Sequence, residues 1–314
     1  MVQLKNNSIL VVGGTGFIGY HLAKKSLTKG WKVTSISSNP PRKMRYLPKV
    51  KYIICDITNK NILKKNIKKS FDYVVNLAGY VDHSNRKKTY TSHYLGCKNL
   101  TEIFLKKTPK AFVQIGSCLE YGNLRSPQKE NNNFNPKLIK SVYGKAKLLA
   151  SMHLLNLFKK NNFPSVILRL YLAYGPKQDA NRFLPIIIKG CIKNEKFPCS
   201  KGNQLRDFVH VKDVVDAIIK SLASKDAKGQ IINIGSGKPQ KIKNIIEQIQ
   251  KITKGGYPQY GKIKFRKDEI LKLYPSINKI SRILGWKPKT NFNQGLIKTI
   301  KYYKTIERKQ VCNR

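Results

Sequence analysis

The sequence predicts an α/β fold, a doubly wound parallel sheet followed by a smaller, mostly helical C-terminal lobe. Three observations carry that prediction. Short, β-branched, almost continuously apolar runs alternate with stretches of helical spacing, as strands covered on both faces require. A glycine-rich turn closes the first run, where a strand hands over to a helix. The alternation fades after Gly175, and roughly the last 75 residues carry mostly helical spacing.

In chain order, the first strand is expected at Ile9–Val12. Phe17–Lys29 then sets Phe17, Ile18, Leu22 and Leu27 at helical spacing, with Gly30 as the stop. Further strands are expected at Lys32–Ile36, Tyr52–Ile54, Tyr73–Asn76, Phe112–Ile115, Val166–Leu170 and Ile231–Ile234. A strong helical pattern opens at Val142 and continues through Ala146, Leu149, Leu154, Leu157 and Phe158. After Gly175, the residues Pro176, Pro185 and Pro198 punctuate what reads as a loop-rich stretch. A turn at Gly255-Gly256 divides the tail.

The 314 residues include 62 Lys plus Arg against 16 Asp plus Glu, a formal net charge of +46. A hydrophobic content of 40% excludes a disordered chain. No apolar run approaches the roughly 20 residues of a transmembrane helix. The amino terminus, Met1 to Asn7, lacks a signal-peptide core, so a cytoplasmic protein with no membrane partner is expected. Six cysteines (Cys55, Cys97, Cys118, Cys191, Cys199, Cys312) form no Cys-x-x-Cys pair and no disulfide framework. The five histidines show no metal-ligand spacing, so no metal is expected. A basic surface attracts anions. Here, however, lysines scatter in pairs such as Lys64-Lys65 and Lys159-Lys160, without a block of five like charges. The abundance of both Lys and Asn reads as compositional drift, and nucleic acid is not an expected partner.

Gly13-Gly14-Thr15-Gly16-Phe17-Ile18-Gly19 lies between the first strand and the first helix. Glycines at 13, 16 and 19 let the backbone turn tightly and approach a pyrophosphate, and the helix amino terminus adds partial positive charge. A dinucleotide is the expected cofactor. At the end of the second strand a carboxylate would bond the adenosine ribose and favour NAD. Ser37-Ser38-Asn39-Pro40-Pro41-Arg42-Lys43 contains none. Ser37 and Arg42 could hold a 2′-phosphate instead, so the expected cofactor is NAD(P), with the balance toward NADP(H). Asp56, with Ile57 beside it, either reaches the adenine edge or caps the following helix.

Tyr143 and Lys147 are four apart and share one helix face. A phenol has a pKa of about 10 in water. A neighbouring ammonium lowers it, so the phenol can exchange a proton near neutral pH. The pair does not stand alone. Ile115-Gly116-Ser117-Cys118-Leu119-Glu120-Tyr121-Gly122 precedes it. Leu168-Arg169-Leu170-Tyr171, Arg206-Asp207-Phe208-Val209-His210, Asn233-Ile234-Gly235-Ser236-Gly237 and Leu284-Gly285-Trp286-Lys287-Pro288 follow it. In this order the motifs resemble those of the extended short-chain dehydrogenase/reductases, the NAD(P)-dependent nucleotide-sugar epimerase/dehydratase family. The resemblance runs from about residue 8 to residue 303.

The resemblance implies a Rossmann-type dinucleotide-binding domain over residues 1–170, to which the chain returns at about 206–238. Residues 171–205 and 239–314 would form the substrate-binding lobe. It implies Ser117, Tyr143 and Lys147 as the catalytic set, with Lys147 also bonding the nicotinamide ribose. Thr15 and the glycine turn would face the cofactor, as would Leu77, Ala78 and Gly79 after the fourth strand. Arg206 would grip the diphosphate of a nucleotide sugar, and Ser117 the reacting sugar oxygen. His83 is either an extra proton donor or a loop histidine bonded to backbone. Hydride transfer at sugar C4 by a 4-keto-reductase is the expected reaction, with 4-epimerisation on tightly held NAD as the alternative. A non-catalytic dinucleotide- or RNA-binding protein on the same fold is a further alternative. Dehydration is disfavoured: Cys118 and Leu119 follow Ser117, and Glu120, read as a strand residue, would point away from Leu119's face. His93 and Leu172 stand where the family carries asparagines. Cys118 is expected to be inert, His210 structural, and Trp286 a packing residue of the C-terminal lobe. A homodimer is expected through the helices near Thr89–Lys106 and Val142–Lys159.

Overall fold

The structure, a computed structural model, describes residues 7–80, 82, 84–130, 135–265 and 269–312, and the side chains of these up to residue 308. The first half alternates strand and helix. Its elements are β1 (Ser8–Val12), α1 (Phe17–Thr28), β2 (Lys32–Ser37), β3 (Lys51–Ile54), α2 (Lys60–Asn66) and β4 (Tyr73–Asn76). Next come α3 (Arg86–Tyr90), α4 (Gly96–Lys106), β5 (Ala111–Ser117), α5 (Val142–Asn161) and β6 (Ser165–Leu170). The second half begins with β7 (Leu172–Tyr174), α6 (Phe183–Ile192), β8 (Lys196–Cys199), β9 (Leu205–Arg206) and β10 (Phe208–His210). It continues with α7 (Val211–Ala223), β11 (Ile231–Ile234), β12 (Gln240–Lys241) and α8 (Ile242–Thr253). It ends with β13 (Tyr257–Tyr260), β14 (Lys272–Leu273), α9 (Asn278–Leu284) and α10 (Phe292–Cys312).

Seven strands form one parallel sheet in the order β11-β6-β5-β4-β1-β2-β3. These are the seven expected strands, four of them longer by one residue and one by three. Successive side chains of β1 go to opposite faces, Ile9 and Val11 to one core, Leu10 and Val12 to the other. Both faces of the inner strands are buried, which explains their unbroken apolar runs; the edge strand β3 leaves Ile54 exposed. The order reverses between β1 and β4, and ligands of such sheets bind outside the strand ends at that crevice. The glycine turn follows β1, Leu77 follows β4, and Ser117 ends β5, so the candidate residues converge there.

The C-terminal lobe has its own core, built from Tyr174, Ile187, Ile188, Ile245, Ile246, Ile249, Leu296 and Ile300. Two expectations need correcting. The stretch after Gly175 contains α6. Pro185 is its third residue, in the first turn, where a missing N–H breaks no intrahelical bond. Trp286 packs into the sheet's own core rather than the lobe's, and its Nε1 donates to Asp213 O at 3.2 Å. Among the described residues, no helix is long and apolar enough to cross a membrane.

Candidate active site

The glycine turn has the shape that a pyrophosphate cradle requires. Gly13 has φ +82°, and a Cβ there would lie 3.0 Å from the backbone of Leu77 and Ala78. A Cβ on Gly19 would lie 2.3 Å from Gly13 O, so α1 can pack this close to the turn only through glycine. Gly16 caps α1 without any side-chain hydrogen bond, which leaves the first-turn N–H groups for an anion. Phe17 and Ile18 open that helix. These residues fit a dinucleotide: the cradle is one that any side chain would fill.

The residues expected at the adenosine end make polar contacts within the protein. Ser37 Oγ accepts from Thr15 N at 3.3 Å, tying the end of β2 to the glycine turn. Arg42 reaches Asp179 at 3.0 Å, and the buried Arg45 reaches the same carboxylate at 3.0 Å. Asp56 accepts from Thr58 N at 2.8 Å and remains exposed. The cap of α2 is Asn59, not Asp56. Ile57 is buried against Gly96 at the start of α4.

Ser117 at the end of β5 and Tyr143 in the first turn of α5 come together, and Lys147 stands one turn further along the helix. Ser141 caps α5, accepting from Gly144 N at 3.0 Å, and this fixes the first turn on which Tyr143 stands. Tyr143 and Ser117 share a side-chain hydrogen bond. Burial pushes the phenol up to about 12, against the lowering effect of that bond and of the Arg182 guanidinium. Lys147 is buried, and its Nζ donates to Ile115 O at 2.7 Å. Desolvation pulls its ammonium down to about 8, although the Glu120 carboxylate opposes this. The expectation that Lys147 acidifies the phenol is therefore corrected. The amine is engaged with a carbonyl of β5, and burial governs both groups.

Glu120 needs a second correction. The strand ends at Ser117, and Cys118–Tyr121 form one 3-10 turn, so strand alternation does not orient Glu120. Its carboxylate is turned inward and buried. It accepts from Ser117 N at 2.7 Å, Ser151 Oγ at 2.7 Å and Arg169 Nε at 2.9 Å. The Arg169 guanidinium lies 4.2 Å above the Tyr121 ring, and Tyr121 donates to Asn233 Oδ1 at 2.7 Å. Residues of three separate sequence motifs thus form one buried network across β5, β6 and β11. The Asp207 carboxylate likewise accepts from Ser236 N and Oγ, at 2.6 and 2.9 Å, joining a fourth motif to the one that carries Asn233.

Other candidates fall around this centre. Arg206 is paired with Glu269. Leu77 N donates to Val12 O, and Ala78 N to Asn76 Oδ1 at 3.1 Å, which holds the loop after β4 against β1. His83 lies outside the described residues. The Cys118 thiol is buried and pushed up to about 12, as an inert thiol requires. His210 Nδ1 accepts from Lys212 N at 3.3 Å at the start of α7, a structural contact. The sequence marked His93 only as a departure from a family asparagine that alters hydrogen bonding near the sugar, and it did not single out Arg182. The His93 ring stands edge-on to Tyr143, with centroids 4.9 Å apart. The only sequence signal was its place in a position where the family carries asparagine. Among the described residues, no group of three or more His, Cys, Asp or Glu could hold a metal ion.

Residues 9–235 match the model of the NAD dependent epimerase/dehydratase family. A Methanocaldococcus jannaschii protein provisionally named as a UDP-glucose 4-epimerase is 29% identical, over 96% of this chain and 99% of that protein. The CDP-abequose synthase of Salmonella muenchen is 25% identical, over 94% of this chain and 97% of the enzyme. In structure, the chain resembles the UDP-glucose 4-epimerase of Thermotoga maritima, solved with UDP-glucose. The TM-score is 0.85, with 23% identity and coverage of 96% and 99% of the two chains. At that identity the likeness is one of fold.

Proposed function

The chain belongs to the NAD dependent epimerase/dehydratase family, and from that premise we propose that it moves a hydride at C4 of a nucleotide-activated sugar, as a 4-keto-reductase. The observation that carries the reading is the Ser117–Tyr143 hydrogen bond in a site where the phenol is pushed up to about 12. A phenol with that pKa is protonated at neutral pH and can give its proton to an oxygen that becomes an alkoxide. Reduction of a ketone creates that oxygen; Ser117 is the group to fix it. Lys147, held by Ile115 O, is the residue we assign to the nicotinamide ribose. A bound nicotinamide would supply or take the hydride. The residues to hold that cofactor are Gly13, Thr15, Gly16, Phe17, Ile18 and Gly19, with Leu77, Ala78 and Gly79 at the nicotinamide end. On the adenosine side they are Ser37, Arg42, Asp56 and Ile57.

NADP(H) is the cofactor we favour, on the absence of an acid at Ser37 and the presence of Arg42. Asp179 holds that arginine at 3.0 Å, so a 2′-phosphate must draw it away or bind beside it. Arg206 is the residue we assign to the substrate's diphosphate, where the anion would compete with Glu269. Water elimination is left out of the proposal, because the Glu120 carboxylate is spent on Ser117 N, Ser151 and Arg169. The second reading is 4-epimerisation, favoured by the name of the relative that is 29% identical. We also propose a homodimer through α4 and α5. Leu148 belongs to the core, whereas Leu149, Met152 and Leu155 are half-buried and Leu95 and Leu105 are exposed.

The test is to titrate the purified protein with NADH and NADPH. It is then incubated with a panel of 4-keto-6-deoxy and 4-hydroxy nucleotide sugars, with nicotinamide absorbance and product stereochemistry followed together. Stoichiometric loss of NADPH supports the reductase, and interconversion without net oxidation supports the epimerase. Neither outcome, with cofactor bound, would leave a binding protein.

A further inference from the structure

We propose that His93 is a positioning residue for proton transfer, which ties the loop after β4 to the ring of Tyr143. The inference rests on the reading of Tyr143 as the acid/base group and adds to it a side chain that this reading does not use. His93 lies in a π-helical turn, Thr91–Leu95, between α3 and α4. Such turns insert a residue into a helix and recur at functional sites. The imidazole is buried, and it meets the Tyr143 ring edge-to-face, 4.9 Å between centroids and 79° between planes. That arrangement favours one orientation of the phenol ring.

The same imidazole holds the loop. His93 Nε2 lies 3.2 Å from Tyr80 O. A carbonyl only accepts, so this nitrogen carries the proton whether the ring is neutral or charged. Ser92 Oγ accepts from Tyr80 N at 2.9 Å. Both backbone polar groups of Tyr80 are thus bonded to consecutive residues of the π-helical turn. Gly79 completes the fit: a Cβ there would fall 1.8 Å from His93 Cε1, so only glycine lets the loop lie on the imidazole. Leu77 and Ala78, just before it, abut Gly13 of the glycine turn. One side chain therefore bears on the phenol and on the loop that adjoins the dinucleotide cradle. A shift of this loop relative to the phenol would misalign proton and hydride positions, and such misplacement is costly in rate.

Two variants separate positioning from packing. His93→Phe keeps a ring against Tyr143 and loses the donor to Tyr80 O. His93→Gln keeps an N–H donor at similar reach and loses the ring. NADH binding is read by fluorescence, and turnover is measured on the nucleotide sugar that the wild-type protein uses. The expected result is NADH affinity within about threefold of wild type for both. For His93→Phe, kcat falls about ten- to a hundredfold at nearly unchanged KM, and His93→Gln, which restores the tie to Tyr80 O but not the ring contact with Tyr143, recovers part of the loss. Should His93→Phe fail to fold, His93→Ala replaces it with the same expectation. Wild-type kcat in the variant without the donor would overturn the proposal, as would a His93→Gln variant no faster than it. A wild-type protein that neither binds NADH nor turns over a nucleotide sugar would instead overturn the enzymatic reading beneath it.

Discussion

The Tyr143 hydroxyl, pushed up to about 12 and bonded to Ser117, is the group to which the proposed function gives the proton. Tyr143→Phe removes that proton and little else. Turnover should fall by about 10²- to 10⁴-fold while NADH still binds, which steady-state rates and a fluorescence titration check together. Lys147 gives a prediction with a sign. Burial pulls its ammonium down to about 8 from the ordinary 10.5 of a lysine, so the unfolded chain holds more protons between those values. The group's contribution to stability therefore rises as pH is raised from about 8 toward 10.5. Denaturant unfolding of the wild type and of Lys147→Met across that window should show the slope in the former and lose it in the latter. The residue types and their spacing were legible in the sequence: Ser117 and Tyr143 do meet. Their electrostatics were not. Spacing along a helix shows that two side chains share a face, but not that one of them turns to Ile115 O. Nor could it show Glu120 turned inward, because that follows from where β5 stops.

At the scale of elements, the start of α5 sets the position of the phenol. Ser141→Ala removes the bond to Gly144 N and should cost about 1 kcal/mol, measured by urea unfolding. A larger loss is expected behind the site. Arg169 and Glu120 form an ion pair with both side chains fully buried. Arg169→Leu leaves the Glu120 charge buried without its partner guanidinium and should cost about 3–5 kcal/mol by the same measurement. The inner strands were legible because both of their faces are covered, so β-branched apolar runs mark them, and the edge strand β3 was legible although Ile54 is exposed. Helix α6 was not, because a proline in a first turn looks the same in sequence as a proline in a loop. The π-helical turn that carries His93 was not legible either, since no residue preference announces it.

At the scale of the whole molecule, a parallel sheet carries one core on each face, and the C-terminal portion contributes to a third. The motifs that make the family recognisable are partly the fabric of that arrangement. Glu120, Arg169, Tyr121 and Asn233 bond one another, and Asp207 bonds Ser236. Their order along the chain was legible, while their mutual contacts came only with the fold. The net charge of +46 belongs to this scale as well. Read as dispersed charge, it predicts affinity for single-stranded RNA no higher than that of a lysine-rich control protein at the same salt concentration, checked by filter binding over a salt series. The proton role of Tyr143 is tested most directly by one single-turnover experiment. The protein is loaded with NADH or NADPH, mixed with a 4-keto-6-deoxy nucleotide sugar, and followed at the nicotinamide absorbance. The wild type should lose absorbance as the 4-keto group becomes a hydroxyl, and Tyr143→Phe should bind the same cofactor yet keep its absorbance. Equal rates of loss in the two proteins would contradict the assignment.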